Sequence, residues 1–596
     1  MNTKDKVSAI RDWMEREGAD CVLLTTLDPH QSESVADHWK AVQWATGFTG
    51  SMGEALVCRN SAAFWTDGRY EEQARRQVDG SVFETFSISN PESPSPGSWL
   101  LEHLGEGAVL ALDGSVLSVA SARKLKSELS EKGIRIRPEI DGVLALWVDR
   151  PAIPGDPLYE LEPEFTCRSR GEKLALVRSR LPERGAVAVT TLDDIVWLTN
   201  LRGHDNPLYP FFHAYALVTK DRAVLCTDLG KIPPGLKARI RSDGFELRPY
   251  GEMPRLIEEL SKETILSLDP WKTPESLRLA VPEGVRVREE PALVTGIKAE
   301  KSQKEQENIR RANLHECAAV VRLMMWIEEN AGSGALTEYM VGKKLEEFRR
   351  LDPLYIQPAN VPIVGYGPNA ALPHYRPTKD VSSPVKPEGF LLFDVCAQWR
   401  CGSTDLTRTV AVGPLTDEMR RDYTTVLKAN IRLAEQKFPE GTTGNLLDAI
   451  VKAPYWNKLE NFSHGTGHGI GYISNIHEGP AKIITEYAPA FPYALRTPLR
   501  PGMLFSDEPG LYKPGRHGIR IENSILVKEA GKSEFGRFLG FETVTFLPFE
   551  GKAIVPEMLT EAEKSWIRGY YERMKEGLRP LLSESEFAWL CRKAVI

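Results

Sequence analysis

Four carboxylates stand in matched surroundings. In "FLLFDVCAQWRCGSTDLTRTVAV", Phe390 to Val412, Asp394 and Asp405 lie on either side of a turn around Arg400 to Ser403, within runs that otherwise read as apolar strands. Folding that hairpin sets the two acids opposite each other, or nearly so. Facing carboxylates repel unless something positive lies between them. A lone buried aspartate is usually answered by an arginine, whereas a facing pair points to a metal. "MLFSDEPGLYKPGRHGIRIENSILV" repeats the device, with Glu508 and Glu522 flanking a turn that has Gly515 at its midpoint. Asp507 and Arg516 read as solvated turn charges. Glu522 does not, because it sits inside the alternating "GIRIENSILV".

A third stretch, "HGTGHGIGYISNIHEGP", holds His464, His468 and His477 among five glycines. His464 and His468 have the i, i+4 spacing of a helical zinc pair. Each glycine in a helix interior would cost roughly 1 kcal/mol against alanine, so the stretch reads as a loop or a strand entry, and the spacing as incidental. The glycines imply backbone passing close to something, here the metals and a peptide. One imidazole added to four carboxylates gives an oxygen-rich donor set that balances two dications. Without a thiolate it favours hard ions such as Mn²⁺ over structural zinc. Two such ions roughly 3.5–4 Å apart hold a hydroxide between them and polarise a carbonyl. These residues therefore describe a two-metal hydrolase.

The elements that must position them occupy the last part of the chain. Ser302 and Glu305 fit a capping box that opens a long helix, with Ile309, Ala312, Ala319, Leu323 and Ile327 near helical spacing. After about residue 355 the pattern turns to hairpin-like strands. Upstream lies a diverged repeat. "EGADCVLLTTLD" and "RGAVAVTTLD" end at Asp28 and Asp193, and "AAFWTD" and "AVLCTD" end at Asp67 and Asp228. The offsets, 165 and 161 residues, nearly agree, which marks two related α/β units. A proline-rich seam runs from Asp149 to Phe165. The expected domains are 1–162, 163–298 and 299–596.

Composition narrows the partners. With 42% hydrophobic and 26% charged residues the chain is that of an ordinary globular protein, and a net charge of −7 over 596 residues gives no reason to expect nucleic acid or an anionic membrane. The N-terminal residues contain no apolar core of a signal peptide, and no apolar run is long enough to span a bilayer. The eight cysteines form no CxxC pair and read as reduced, buried thiols of a cytoplasmic protein.

Taken together, these motifs resemble the pita-bread metallopeptidases, and among them the aminopeptidase P (Xaa-Pro aminopeptidase) family in its long three-domain form. The resemblance rests on "LLFDVCAQWRCGSTDLTRT", "HGTGHGIGYISNIHEGP", "GMLFSDEPGLY" and "HGIRIEN". It extends to "DPHQSE", "TGFTGS" and "WTDGRY" in the first unit, "WLTNLRG" in the second, and "ALPHYRP" beside the active site. It implies two related α/β domains followed by a pita-bread catalytic domain, an α/β and α+β architecture. The family's metal ligands fall on Asp394, Asp405, His468, Glu508 and Glu522, its active-site histidines on His374, His464 and His477, and its arginine on Arg520. All five ligand types are intact, which speaks against a metal-free binding scaffold on the same fold. Val395 and Tyr472 depart from the family's usual residues without touching a ligand.

The resemblance further implies a homodimer with two Mn²⁺ per subunit that cleaves one residue from peptides with proline second. Such an imide lacks an N–H, and its ring blocks ordinary docking. Glu508 is expected as general base, and His464 or His477 as oxyanion partner. His374 and His477 would flank the proline ring, Arg520 would orient a carboxylate, and a metal or Asp394 would take the amino terminus. A dipeptide-restricted prolidase is the alternative enzyme. Arg69 is read as lining a substrate entrance or a subunit contact, or as structural. Cys396 and Cys401 are read as packing, and Trp399 as exposed at the hairpin tip.

Overall fold

The computed structural model of the chain describes residues 1–68, 70–486 and 493–596, with only the backbone at residue 72. Arg69 lies outside the described residues. The chain forms two compact units, residues 1–160 with 168–294, and residues 161–167 with 295–596. Among the described residues no helix is long and apolar enough to cross a membrane.

The first unit carries the repeat. Helix α1 (Thr3–Glu17) opens on a capping box between Asn2 and Asp5 and stops at Gly18, whose φ of 67° suits glycine. Strands β1 (Cys21–Thr25), β2 (Glu54–Cys58), β3 (Ala62–Thr66), β4 (Glu84–Ser87), β5 (Val109–Leu112) and β6 (Arg135–Arg137) form one sheet. After α2 (Arg170–Arg180) come β7 (Gly185–Val189), β8 (Ala214–Thr219), β9 (Ala223–Thr227), β10 (Glu246–Arg248), β11 (Ile265–Leu268) and β12 (Arg286–Glu289). The two sheets share one topology. The first runs β4-β3-β2-β1-β5-β6 and the second β10-β9-β8-β7-β11-β12. In each, the first strand is antiparallel to the second and parallel to the fifth. Covered on both faces, β1, β3, β7 and β9 are buried at every residue, as their unbroken apolar sequences require.

The thiol reading needs one correction. Cys21 and Cys58 are directly opposed in the β1–β2 ladder and are joined as a disulfide, while the other six cysteines are thiols. The sequence gives no CxxC signal because the pair is made by strand register, 37 residues apart.

In the second unit, α3 (Gln303–Asn330) begins at Ser302 with both arms of the capping box in place. Helix α4 (Glu338–Arg349) follows. Strands β13 (Tyr355–Pro358) and β14 (Ile363–Tyr366) line up along one edge of β15 (Phe390–Trp399), and β16 (Gly402–Ala411) pairs with the other edge. Helices α5 (Asp417–Glu435) and α6 (Gly444–Trp456) flank β17 (Phe438–Pro439) in sequence. Next come β18 (Gly467–Gly469), β19 (Glu478–Ile483), β20 (Leu504–Asp507), β21 (Gly510–Lys513), β22 (His517–Arg520), β23 (Asn523–Ser533) and β24 (Gly536–Thr543), then α7 (Glu561–Leu578) and α8 (Glu584–Lys593). The second sheet runs β17-β24-β23-β20-β18-β19, with β21 and β22 as a separate ladder.

One core joins these layers, including Leu323 of α3, Val426 of α5, Phe393 of β15, Phe505 of β20, Ile525 of β23 and Tyr570 of α7. The β15 tip is buried rather than exposed. Trp399 has no accessible surface, and its indole N–H donates to Glu316, which pairs with buried Arg349. A tryptophan at a turn can be buried when its polar edge finds a partner, and here an ion pair supplies one.

Candidate metal centre

The hairpin β15–β16 sets the first two acids diagonally rather than face to face. Asp394 pairs with Thr407, and Cys396 pairs with Asp405. Side chains two apart share a face, so Asp394, Cys396, Asp405 and Thr407 all project to one side. Asp394 is the one residue of β15 that keeps some exposure.

The second pair of acids lies between two separate ladders. Asp507 pairs with Asn523 on one side and Gly510 with Arg520 on the other, so Glu508 falls opposite Glu522 in the same register. Gly515, with φ of 71°, turns the hairpin between them.

An isolated bridge between Thr407 and Glu522 brings the two hairpins together. The Glu522 N–H donates to Thr407 O at 3.1 Å, and Thr407 Oγ1 donates to Glu522 Oε2 at 2.7 Å. From the opposite face of β16, buried Arg408 donates to the Glu522 carbonyl at 2.7 Å and to Asn523 Oδ1 at 2.8 Å. Spacing alone could not show this convergence. Thr407 and Arg408 are visible in "DLTRT", but nothing local says that they reach across 115 and 114 residues.

His468 enters from β18. Its Nδ1 lies 3.0 Å from Gly469 O, which can only accept, so Nδ1 bears the ring proton and Nε2 the lone pair. That Nε2 is 3.5 Å from Asp405 Oδ2 and 3.5 Å from Glu508 Oε1. The glycines around it have a different reason from the one expected. A Cβ at Gly467 would stand 2.0 Å from Ser506 O, so the missing side chain lets β18 lie against β20 rather than against a metal or a peptide. A Cβ at Gly518 would stand 1.8 Å from Ala370 O. Its absence lets β22 run along the turn at Gly367–Ala371 that leads to His374.

The electrostatics of this cluster are those of a site built for cations. Burial first, and Asp394 next, push the Asp405 carboxyl well above its ordinary range. Burial, Asp405 and Glu508 do the same to Glu522. Burial raises Glu508 to about 7 against the lowering influence of Arg520. Donor atoms of Asp405, His468 and Glu522 all lie within 4.8 Å of one another, as do those of Asp394, Cys396 and Asp405. Buried carboxylates with too little positive charge among them, around an imidazole lone pair, fit divalent cations. Asp507, expected as a solvated charge, is instead fully buried. Among the described residues neither of its carboxylate oxygens has a hydrogen-bond partner, and burial holds its carboxyl well above the usual range. Arg516 is exposed and pairs with Glu418.

Around the cluster, Arg520 donates from Nη2 to Asp394 Oδ2 at 2.6 Å and to Pro373 O at 3.3 Å, tying the His374 loop to the carboxylates. His477 stacks edge-on against His468 with ring centroids 4.4 Å apart, and its charge acts on both Asp405 and Glu508. His464 stands one step back. Its Nδ1 is 2.8 Å from Gly465 O and its Nε2 2.9 Å from the Tyr512 hydroxyl, which accepts from Arg520 Nη1 at 2.7 Å. Burial, with Arg520 nearby, lowers His464 to about 3, so the ring is neutral. With Nδ1–H spent on a carbonyl, Nε2 accepts from the phenol. Tyr512 and Cys396 thus belong to the site though sequence reading gave them no part in it. Tyr512 has a local signal, since it follows Glu508 by four residues in "GMLFSDEPGLY".

Known proteins match this chain throughout its length. Residues 307–529 match metallopeptidase family M24 and residues 537–595 the C-terminal region of that peptidase; residues 6–143 and 149–305 each match the creatinase/prolidase N-terminal domain. A probable Xaa-Pro aminopeptidase P of Neurospora crassa is 33% identical over 614 residues, covering 100% of this chain and 89% of its own. Aminopeptidase P2 of Arabidopsis thaliana is 32% identical over 624 residues, covering 98% and 86%. Among solved structures, an X-prolyl aminopeptidase of Caenorhabditis elegans, described as a cytosolic enzyme with a di-nuclear active site, has a TM-score of 0.92 at 29% identity and covers both chains completely. An Xaa-Pro dipeptidase of Bacillus anthracis has a TM-score of 0.50 at 25% identity and covers 64% of this chain and 99% of its own.

Proposed function

The chain belongs to metallopeptidase family M24 and is a hydrolase; from that premise we propose that it removes the N-terminal residue from peptides whose second residue is proline. The observation that carries this reading is the meeting of Asp394, Asp405, His468, Glu508 and Glu522 at one buried site. Likeness to Xaa-Pro aminopeptidases over the full chain, both N-terminal regions included, supports an aminopeptidase over a dipeptidase.

Those five residues hold two divalent cations, with Mn²⁺ as the expected ion for their oxygen and imidazole donors. Bound there, the cations supply an activated water and polarise the scissile carbonyl. Glu508 directs Oε1 toward His468 and Ser506, which leaves Oε2 to take a proton from the attacking water and return it to the proline nitrogen. His477 donates to the developing oxyanion and, with His374, flanks the proline ring. His464 acts through Tyr512, holding the phenol that holds Arg520. Arg520 fixes one oxygen of Asp394, and the carboxylate attracts the free amino terminus of the peptide.

The working division is 1–162 and 163–298 for two related domains and 299–596 for the catalytic one. A homodimer in the cytoplasm completes the proposal; the cytosolic relative supports the location alone.

The test is direct. Mn²⁺-loaded protein releases arginine from Arg-Pro-Pro, ignores Arg-Ala-Ala, and stops when a chelator is added. No turnover of any Xaa-Pro peptide by metal-loaded protein overturns the reading, and turnover of Arg-Pro without Arg-Pro-Pro makes it a dipeptidase.

A further inference from the structure

Cys396, expected to serve only in packing, turns its thiol to a carboxylate. It projects from β15 to the same side as Asp394 and directly opposite Asp405. Its Sγ lies 3.0 Å from Asp405 Oδ1, and it is 4% exposed. Asn360 Oδ1 accepts from the Cys396 backbone N–H at 3.0 Å, so the residue is pinned from behind. Donor atoms of Asp394 and Asp405 lie within 4.8 Å of its sulfur.

Two groups of donors result, sharing Asp405. One is Asp405, His468 and Glu522; the other is Asp394, Cys396 and Asp405. The first is all oxygen and imidazole nitrogen, while the second includes sulfur. Hard ions are indifferent to sulfur, whereas Zn²⁺ and Cd²⁺ bind it well.

We propose that Cys396 Sγ is a sixth protein ligand, binding the cation held beside Asp394 and making the two metal positions chemically unlike. The inference rests on the two-cation reading above. As the sulfur–metal bond forms, the S–H bond breaks and its proton leaves to solvent. The position beside Asp394 then favours thiophilic ions, and the position at His468 favours Mn²⁺.

Cadmium reports the bond without any need for turnover. Protein with its Cys21–Cys58 disulfide intact is titrated with Cd²⁺ in thiol-free buffer while the near-ultraviolet sulfur-to-metal charge-transfer absorption and the bound Cd²⁺ are measured. The wild type and Cys401→Ser, a buried control thiol, are expected to gain the band. Cys396→Ser and Cys396→Ala are expected to lose it, and to lose Cd²⁺ affinity by at least the roughly 10–100-fold that removing an outer partner of a ligand costs. Their retained Mn²⁺ binding at the His468 position shows that they fold. Cadmium bound to wild type with no band, or with a band that persists in both Cys396 variants, overturns the ligand assignment and leaves the two-cation reading standing. Wild type that binds neither Cd²⁺ nor Mn²⁺ overturns both.

Discussion

Arg520 donates to Asp394 Oδ2 at 2.6 Å, and the same guanidinium reaches Thr407 Oγ1 at 3.1 Å and the Tyr512 hydroxyl at 2.7 Å. One buried cation thus orients a carboxylate from each hairpin, Asp394 directly and Glu522 through Thr407. A lysine cannot reproduce this fork. Arg520→Lys and Arg520→Met are each expected to weaken Mn²⁺ binding by about 10–100-fold, as loss of an outer partner of metal ligands does. Isothermal titration with Mn²⁺ checks it, and unchanged affinity in Arg520→Lys would show that charge alone suffices.

Among the described residues, the hydrogen-bond partner of His464 Nε2 is the Tyr512 hydroxyl, at 2.9 Å. Tyr512→Phe leaves that buried acceptor without a donor, which costs about 1–3 kcal/mol. Urea unfolding of the catalytic unit should move to lower denaturant by that amount while Mn²⁺ stoichiometry holds. A loss of metal instead would place Tyr512 closer to the cations than its contacts indicate.

Glu478 follows His477 and is buried between Lys298, at 3.4 Å, and Lys301. The exposures of these three side chains are 2%, 2% and 1%. Breaking a buried pair strands charge in the interior, at roughly 3–5 kcal/mol. Glu478→Gln should therefore destabilise by about that much and lower kcat more than it raises KM, because the backbone that carries the adjacent His477 loses the ion pairs that hold it. Thermal denaturation and steady-state kinetics read the two effects separately.

His30 gives the first unit a pH dependence of its own. Its ring nitrogens lie 2.7 Å from Thr190 O and 2.9 Å from the Tyr250 hydroxyl, and burial lowers it to about 4. The unfolded value is near 6.5, so between about 6.5 and 4 the unfolded chain binds the extra proton. Stability from this group is present above pH 6.5 and is lost as pH falls toward 4, by on the order of 3 kcal/mol. Denaturation at pH 7 and pH 4.5 should show a steeper loss in wild type than in His30→Asn. Parallel losses would assign the acid sensitivity to other groups.

Much of this could be read from the residues because the cues were local. The capping box at Ser302, the two hairpins and the near-constant offset of the repeat each lie within short stretches, and each has its counterpart in the structure. What escaped depends on long-range register. Whether Asp394 faces Asp405 or Thr407 turns on how many residues the β15–β16 turn consumes. The burial of Asp507 and Trp399 turns on what packs over them. The glycines near His468 were legible as a demand for close approach, but not as demands made by β20 at Gly467 and by β19 at Gly465 and Gly469. Cys396 was visible as a neighbour of the aspartates, yet only its pairing with Asp405 places the thiol among the carboxylates.

Counting metal tests the centre of the account most directly. After loading with Mn²⁺ and removal of excess ion, elemental analysis of the wild type should give two ions per subunit, and His468→Ala about one or fewer. His464→Ala should keep two while its turnover falls by roughly 10²-fold or more. Wild-type occupancy in His468→Ala, or equal metal loss in both variants, would contradict the roles assigned to these two histidines and to the site they define.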